Sequence, residues 1–403
     1  MVKVVSKAYI IGGGAAGFFL AITLKQLRPA AEVTILERSA NVLSKVLISG
    51  GGRCNCTNTF EGVDDLSSVY PRGHRLLRKL FHSFGPSDAW AWFEGHGVRL
   101  VAQSDNCVFP ASQDSRSVVD CLAGVAQKLG VRLRTGVCVE TPDELMDGGA
   151  LVAVCTGGAP KRDMLHWLGL PEADIVSPVP SLFTFSIPDE GLRSLMGTVV
   201  DDATLSIAGS KFRASGPLLL THWGVSGPAT LRLSSYAARH LATCAYKAEL
   251  VINWLSVTEE QAFTELRIVA EANAGKMVAN ARPERVSSRL WEYIAERALG
   301  NGAKKRWCEI GKKDLNRLVS VLTADSYHIS GRAPFKDEFV TAGGVALSAI
   351  NSSTLESKTK PRLFFAGEVL DVDGVTGGFN FQAAWTTAFV AAQAMAQKMA
   401  LGD

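Results

Sequence analysis

The sequence has no apolar run long enough to cross a membrane, no low-complexity tract and no internal repeat. Its net charge is also small: 42 Lys and Arg oppose 39 Asp and Glu, which leaves +3, and the isoelectric point is near 8.4. This balance favours neither nucleic acid nor an anionic membrane as a partner. Residues 8–24 are largely apolar, but they include four glycines and lead into a second β-rich run, which disfavours a signal peptide or a membrane helix.

Paired cysteine spacing of the kind found in small secreted proteins is absent as well. Eight cysteines are scattered over the chain, at positions 54, 56, 107, 121, 138, 155, 244 and 308. We therefore expect reduced thiols and a cytoplasmic location. With 403 residues, 47% of them hydrophobic, and a mean hydropathy of +0.13, the composition is that of a soluble globular protein with two or three domains.

The most informative stretch is AYIIGGGAAGFFLAITLKQLRPAAEVTILE, residues 8–37. It predicts a strand over 8–11, a glycine turn, a helix to about Arg28 and a second strand over 33–36. Gly12, Gly14 and Gly17 occupy the G-x-G-x-x-G positions, which permit the turn, the approach of backbone amides to a pyrophosphate, and close packing of the helix on the strand. Ala15 and Ala16 complete this turn, which predicts a dinucleotide at the N-terminus of the helix.

The nature of the dinucleotide is indicated by Glu37, which follows the second strand about twenty residues after the turn. A carboxylate there accepts hydrogen bonds from ribose hydroxyls, so FAD or NAD is favoured over NADP. No second G-x-G-x-x-G occurs in the sequence, and a separate nicotinamide domain is therefore not expected. NAD(P)H remains open as an electron donor that binds without such a domain.

A second glycine-rich stretch, Lys45 to Asn58, contains three consecutive glycines followed by RCNCTN. The pattern predicts a loop, since it favours neither a helix nor a strand. Such a loop suits close approach to a flat or charged ligand, although an ordinary surface loop has the same composition.

Together, GGGAAG and SGGGRCNCTN resemble the paired signatures of the BaiN/YhiN-like flavoproteins, which include enzymes called aminoacetone oxidase-like. The resemblance implies a FAD-dependent oxidoreductase in which this loop contacts the cofactor near its flavin. Cys56 departs from the family pattern, which has an apolar residue there. Cys54-x-Cys56 is therefore also open as a redox or metal element, while no metal ligand set is predicted.

The C-terminal part resembles the second FAD signature. An apolar strand over 362–366 ends at Gly367-Glu368, and a long helix follows from about Phe379 to Met399. In that signature the acid reaches the ribityl or pyrophosphate region, and the helix N-terminus stabilises negative charge on the flavin. The cofactor-binding residues implied by the motifs and the resemblance are Gly12, Gly14, Ala15, Ala16, Gly17, Glu37, Arg38, Lys45, Ser49, Gly51, Gly52, Arg53, Asn55, Thr156, Gly157, Gly367, Glu368, Asp373, Gly377, Gly378, Phe379 and Asn380.

These segments predict an α/β fold: a glutathione reductase-like Rossmann FAD-binding domain with an inserted β-barrel-like domain and a helical subdomain. We expect the FAD domain over residues 1–180 and 338–403, the β-rich domain over 181–256 and about 324–337, and the helical part over 257–323. Within the first domain the pattern predicts two helices over 74–97, a hairpin over 98–110, a helix over 115–129 and strands over 131–140 and 151–154.

The predicted function is hydride transfer through flavin N5 to or from a small molecule, with the substrate and the electron acceptor left open. Candidates for proton transfer are His222, Asp371 and Asp373, because the resemblance implies that their segments approach the flavin. The alternative is an RNA-binding or RNA-modifying flavoprotein, since residues 276–317 contain eleven Lys or Arg and only five Asp or Glu. Glutamates alternate with these basic residues at helical spacing, which favours a solvated face instead. The sequence predicts no oligomeric state.

Overall fold

The computed structural model describes residues 7–333 and 340–401, and the chain divides into two units. The first unit runs to Pro180 and resumes at Val340, and the second unit begins at Ser181. The predicted domain boundary at residue 338 and the predicted β-rich residues 334–337 lie outside the described residues. Within the two described ranges, no helix combines the length and the apolar character needed to span a membrane.

In the first unit strands and helices largely alternate along the chain. In the second unit the strands form one sheet, and the three longest helices follow one another in the sequence. The strands are β1 (Lys7–Ile11), β2 (Glu32–Leu36), β3 (Thr57–Asn58), β4 (Leu100–Ala102), β5 (Cys107–Pro110), β6 (Arg132–Arg134), β7 (Leu151–Val154), β8 (Ile175–Ser181), β9 (Phe185–Ser186), β10 (Val199–Ile207), β11 (Arg213–Thr221), β12 (Gly224–Ser226), β13 (Ala248–Asn253), β14 (Asp325–Ile329), β15 (Gly331–Arg332), β16 (Val340–Val345) and β17 (Leu363–Phe365). The α-helices are α1 (Ala15–Leu27), α2 (Ser44–Gly52), α3 (His74–Leu80), α4 (Pro86–Gly95), α5 (Arg116–Lys128), α6 (Asp143–Met146), α7 (Glu190–Ser194), α8 (Pro228–Tyr236), α9 (Ala238–Thr243), α10 (Glu259–Ala272), α11 (Ser288–Leu299), α12 (Lys312–Ala324) and α13 (Phe379–Leu401).

A parallel sheet in the order β17-β7-β1-β2-β6 forms the centre of the first unit. The four residues of β7 are all buried, as expected for a central strand covered on both faces. Helix α1 packs against α13, so the first and the last long helices of the chain share one core. This arrangement confirms the predicted Rossmann-type α/β class.

The glycine turn between β1 and α1 owes its tightness to two contacts that no side chain would allow. Gly12 has φ +113°, and a Cβ there would lie 2.4 Å from the carbonyl oxygen of Cys155. A Cβ on Gly17 would lie 2.0 Å from the carbonyl oxygen of Gly12. The turn therefore packs directly against the end of β7, and the first turn of α1 packs directly against the glycine turn.

The prediction of an irregular loop over residues 45–58 is wrong at both ends. Residues 44–48 form a helical turn of α2, because Lys, Val, Leu and Ile tolerate a helix and only the glycines break it. The break lies at Ser49, Gly50 and Gly51, which have non-helical backbone angles. At the other end β3 pairs with β5.

The predicted strand over 131–140 is shorter than expected, because only Arg132–Arg134 pair with β2. β2 itself ends at Leu36, and Gly136 turns the neighbouring chain with φ +70°. The predicted helices over 74–97 and 115–129 and the hairpin over 98–110 are confirmed by α3, α4, α5 and the β4–β5 pair.

The second unit contains an antiparallel sheet of seven strands, in the order β14-β13-β10-β11-β12-β9-β15. Helices α10, α11 and α12 cover it, and their apolar side chains join one core with the strands. Leu266, Trp291 and Leu318 represent the three helices in that core and are fully buried. The β-rich part and the helical part of the insertion are therefore one packed body.

A buried polar network ties α11 to β14 within the second unit. Asp325 accepts a hydrogen bond from Arg297 Nε on one oxygen, at 2.7 Å. Its other oxygen accepts from Trp254 Nε1 at 3.1 Å and from the hydroxyl of Tyr327 at 2.5 Å. The Tyr327 hydroxyl also lies 3.0 Å from that of Tyr293. Burial raises the pKa of Asp325, even though its tyrosine and arginine partners oppose the shift.

We expect Tyr327→Phe to lower the free energy of unfolding by about 1–3 kcal/mol, because Asp325 then keeps a buried oxygen with one donor fewer. Urea titration followed by tryptophan fluorescence measures the change. Tyr293→Phe is the matched control, since that half-buried hydroxyl contacts only the end of the network, and its effect should be smaller. Equal stability of wild type and Tyr327→Phe would contradict this account.

Candidate functional site

The N-terminus of α1 presents free backbone amides at the end of β1. The helix has no side-chain cap and no acidic residue in its first turn, so the amides of Ala15 and Ala16 and the helix dipole are available to an anion. Gly14 precedes the helix, and a Cβ built on it meets nothing within 4 Å. Gly14 therefore lacks the packing role that Gly12 and Gly17 have, and the space beside it is open to a ligand.

Glu37 stands at the end of β2, beside this turn. Its carboxylate accepts from the amide of Gly13 at 2.7 Å and from the amide of Ser39 at 2.8 Å. Burial raises its pKa, but the hydrogen bonds from Ser39 and Gly13 outweigh burial, and the net pKa is lowered. An ionised carboxylate has about four acceptor positions, so two remain for ribose hydroxyls. The neighbouring Arg38 is exposed.

Lys45 and Glu368 join two distant parts of the chain near the same helix. Lys45 Nζ lies 2.9 Å from Glu368 Oε2, and the amide of Thr341 donates to Oε1 at 2.8 Å. Gly367 has φ +77°, and a Cβ there would lie 2.9 Å from the Cβ of Ala16 in the first turn of α1. The predicted acid is therefore beside the glycine turn, and both of its oxygens are already held by protein groups.

The turn after β7 lies against the same region. Thr156 is exposed and Gly157 is partly buried with φ +75°. A Cβ on the next residue, Gly158, would lie 2.3 Å from Thr341 Oγ1 and 2.6 Å from Glu368 Oε1. The turn therefore requires glycine at position 158, which the sequence-based prediction did not include.

The N-terminus of α13 is fastened to β3 by backbone and side-chain contacts. Asn58 Nδ2 donates to the carbonyl of Gly377 at 2.9 Å, and a Cβ on Gly378 would lie 2.1 Å from the carbonyl oxygen of Thr57. The hydroxyl of Thr57 donates to Gln382 Oε1 at 2.6 Å inside the unit. These contacts fix where the first amides of α13 point.

Two of the predicted residues at this helix serve the protein itself. Asn380 accepts from the amide of Gly374 at 2.8 Å and donates to the carbonyl of Gly374 at 2.9 Å, which closes the loop before α13. Phe379 is buried against Tyr70 and Phe60. Their side chains are thus occupied, and only backbone groups are left for a ligand.

The segment between α2 and β3 brings the remaining predicted residues to the same unit. Gly51 and Gly52 have φ of +67° and +82°, and a Cβ on either meets nothing within 4 Å. Ser49 donates to the carbonyl of Val46, and Arg53 lies over the ring of Phe109 at 4.3 Å. When the Asn55 amide is oriented to satisfy its neighbours, its oxygen accepts from the amide of Gly378 at 3.2 Å.

The three candidates for proton transfer lie in different settings. Asp373 is fully buried and forms an ion pair with Arg72. Asp371 is partly buried, and its amide donates to the carbonyl of Val345 at 2.9 Å. His222 belongs to the second unit, where it is exposed beside the ring of Trp223 at 4.5 Å. The ion pair of Asp373 argues for a structural role.

Cys54 and Cys56 are free thiols, and their sulfur atoms lie 3.7 Å apart. Both residues have no exposed surface. In the described part of the chain, no three His, Cys, Asp or Glu side chains are grouped so that they could hold a metal ion. The geometry therefore offers a sulfur pair without further ligands.

Two family models match the chain in succession. The model described as "HI0933-like protein Rossmann domain" matches residues 6–163, and "HI0933-like protein barrel and H2TH domain" matches residues 179–340. Together they account for most of the sequence. The chain belongs to the HI0933-like protein family. This confirms the resemblance to the BaiN/YhiN-like flavoproteins and makes the protein a FAD-dependent oxidoreductase.

Curated relatives of this HI0933-like protein align over nearly its whole length. The 3-dehydro-bile acid delta(4,6)-reductase of Clostridium scindens is 26% identical over 96% of this chain and 98% of its own. The ribosomal RNA dihydrouridine synthase of Escherichia coli is 28% identical over 96% of this chain and 97% of its own. Among solved structures, 3-ketosteroid delta1-dehydrogenase from Sterolibacterium denitrificans has a TM-score of 0.49 at 10% identity, over 98% of this chain and 100% of that one.

Several residues that shape this HI0933-like site were missed from the sequence. Thr57, Gln382 and Thr341 hold the α13 N-terminus and Glu368, and Arg72 holds Asp373. One available signal was Gln382, a polar residue inside a strongly apolar helix, which is rarely buried without a partner. Arg72 gave no such signal, because its partner is distant in sequence.

We expect Glu37→Gln to weaken FAD binding roughly ten- to a hundredfold, because hydrogen bonds to a charged acceptor contribute about 1.5–3 kcal/mol. Fluorescence titration of apoprotein with FAD measures the affinity. Because the pKa of Glu37 lies below its ordinary 4.5, wild-type affinity should stay level as pH falls towards that value and decrease only below it. Glu32→Gln, at the exposed start of β2, is the control and should bind normally. Normal binding by Glu37→Gln would contradict the assignment.

Proposed function

We propose that FAD binds to the first unit, with its pyrophosphate at the amides of the Gly12–Gly17 turn and its adenosine ribose at Glu37. The observation that carries this proposal is the open space at Gly14. No contact within the protein requires a glycine at this position, whereas a ligand close to the backbone would. The contact between Gly367 and Ala16 supports a cofactor that continues from α1 towards the 367–380 segment. Lys45, Gly51, Gly52 and the first amides of α13 would then surround its flavin end.

The reaction that this arrangement supports best is reduction of a carbon–carbon double bond in a small cyclic molecule that also carries a carbonyl group. When bound, FAD supplies hydride transfer through its N5 atom. The 23-residue helix α13 directs its positive N-terminal end at the region of Gly377 and Gly378, which favours negative charge on a reduced ring system. The names of both curated relatives describe saturation of ring double bonds, a delta(4,6)-reductase and a dihydrouridine synthase.

The proposed hydride donor is NAD(P)H. A reductase needs an electron source, and the sequence contains one dinucleotide signature, which FAD would occupy. The nicotinamide would therefore bind transiently rather than in a separate domain. The predicted cytoplasmic location belongs to this proposal, since NAD(P)H and reduced thiols share that compartment.

Anaerobic stopped-flow spectroscopy tests the proposal directly. The purified protein should be yellow, and NADH or NADPH should bleach its flavin absorbance. Cyclic enones should then restore the absorbance without oxygen, whereas primary amines should not bleach it. A colourless protein that cannot be reconstituted would remove FAD from the proposal. Bleaching by amines, with recovery only in oxygen, would instead identify an oxidase.

A second candidate function is modification of RNA, which one surface of the second unit favours. Met277 and Arg306 form a β-bridge, and the amide of Val278 donates to the carbonyl of Lys305. This pairing draws together a basic patch of exposed side chains, namely Lys276, Lys304, Lys305 and Arg306. Within residues 7–333 and 340–401, no acidic side chain forms an ion pair with these four. Their charge is therefore available to phosphates.

Filter binding of a ribosomal RNA fragment at several salt concentrations tests this candidate. Wild type should bind with a steep salt dependence, and replacing Lys304, Lys305 and Arg306 by glutamine should reduce the slope by about two units if each contacts one phosphate. Neutralising the exposed Lys128, in the first unit, is the matched control. Absent binding, or an unchanged slope in the triple variant, would eliminate the RNA candidate and leave the small-molecule proposal intact.

A further inference from the structure

Cys54 and Cys56 form a pair whose geometry is set by the backbone. Cys54 has φ +61°, a left-handed backbone conformation that residues with side chains rarely adopt. The amide of Cys54 donates to the carbonyl of Ser49, and the amide of Cys56 donates to the carbonyl of Val108. These bonds fix the backbone at both cysteines, and Cys56 Sγ lies 3.7 Å from Cys54 Sγ.

The pair is shielded from small oxidants in solution. Neither cysteine has exposed surface, and Trp385 Nε1 closes the site by donating to the carbonyl of Cys56 at 2.9 Å. The hydrogen bond with Cys54 and burial hold the pKa of the Cys56 thiol well above its ordinary value. Because glutathione and peroxide need access to the sulfur atom, burial disfavours their reaction with this pair.

The residue between the two cysteines leads to the proposed flavin region. With the side-chain amide of Asn55 oriented as above, its oxygen accepts from the backbone amide of Gly378 at the N-terminus of α13, at 3.2 Å. A Cβ on Gly50 would lie 3.0 Å from the backbone nitrogen of Asn55. The dithiol is therefore one residue from groups that surround the flavin in our proposal for FAD.

We propose that Cys54 and Cys56 are a second two-electron redox centre, which exchanges electrons with the bound flavin. This inference rests on the proposed FAD position. In the forward step the two thiols form one S–S bond and release two electrons and two protons, which convert oxidised flavin to its two-electron reduced form. In the reverse step the disulfide takes up two electrons and two protons from reduced flavin, its S–S bond breaks, and the two thiols form again. Formation of the S–S bond shortens the Sγ–Sγ distance from 3.7 Å to about 2.05 Å.

Counting electrons in the holoenzyme tests the proposal without an activity assay. FAD content is measured first, so that a failure to bind cofactor is recognised separately. Dithionite-reduced enzyme, freed of excess reductant, is then titrated anaerobically with ferricyanide. Wild type should release two more electrons per FAD than Cys54→Ser or Cys56→Val, which keep only the flavin couple. Cys121→Ser is the matched control and should behave as wild type.

The trypsin peptide from Cys54 to Arg72 provides a second readout, because it contains these two cysteines and no other. After oxidation of wild-type holoenzyme its mass should fall by two hydrogens, and the change should need bound FAD. Equal electron counts in wild type and Cys56→Val would overturn the proposal. So would a peptide that stays a dithiol, or one that oxidises equally fast in apoprotein. If Cys54→Ser does not fold, the electron count of Cys56→Val and the mass of the wild-type peptide test the proposal.

Discussion

Gly14→Val will give a folded protein that is purified without FAD, with affinity reduced by about a hundredfold or more. The Cβ position of Gly14 is empty and its φ is −92°, so valine meets no clash and no forbidden backbone angle. The stability loss should therefore be about 1 kcal/mol, that of a poorer helix N-cap. A branched side chain beside the first amides of α1 denies a pyrophosphate two charge-assisted hydrogen bonds, each contributing about 1.5–3 kcal/mol.

Two measurements separate binding from folding in this variant. Thermal unfolding of apoproteins compares Gly14→Val with wild type, and the flavin absorbance after reconstitution gives the bound fraction. Gly124→Val, at another glycine with open space, on α5, is the control and should bind FAD normally. Gly12→Ala should behave differently, since its Cβ overlaps Cys155 and disrupts the fold itself. A yellow Gly14→Val protein would contradict the proposed pyrophosphate position.

Asp373→Ala should destabilise the first unit by about 3–5 kcal/mol, because it removes the buried Asp373 carboxylate from the largely buried guanidinium of Arg72. The backbones of the same two residues also form a β-bridge, although they lie 301 positions apart in the sequence. Loss of the pair should therefore loosen the loop that precedes α13. Urea unfolding of the apoprotein measures the free energy, without interference from cofactor binding.

Asp147→Ala is the control, since this carboxylate lies in the same unit but is exposed. Its effect on unfolding should be within about 1 kcal/mol, as is usual away from buried networks. A double variant that also changes Arg72 to Met should recover part of the stability, because it removes both buried charges. Equal stability of Asp373→Ala and wild type would restore Asp373 as a candidate for chemistry.

The parts of the fold that were predictable from sequence depend on local chemistry. The turn at Gly12–Gly17 could be recognised because the backbone near β1 and α1 imposes glycine at fixed spacings. The class of the fold followed from that turn, from the 367–382 segment and from the turn-rich middle. Helix α2 was missed because its one helical turn is followed by three glycines, and composition over such a window favours a loop.

The site was less predictable wherever a residue's role depends on a distant partner. Asp373 has the same local pattern as a ligand-binding acid, and only the fold brings Arg72 to it. Glu368 was named as a cofactor ligand, and the fold adds Lys45 and Thr341 as donors, one to each of its oxygens. Sequence spacing can indicate that an acid follows a strand, but it cannot indicate which donors the acid will meet.

The strand order of the first unit bears on how the protein is made. The central strand β1 lies between β2 and β7, but β7 also needs β17, and the main partner of α1 is α13 at the far end of the chain. The second unit, in contrast, is a continuous segment with its own core. On the ribosome the second unit can fold as soon as it has emerged, while the first must wait with β1 and α1 already made. The apolar residues of α1 thus lack α13, their main partner, until the last part of the chain has been made, because one core is built from both ends of the chain.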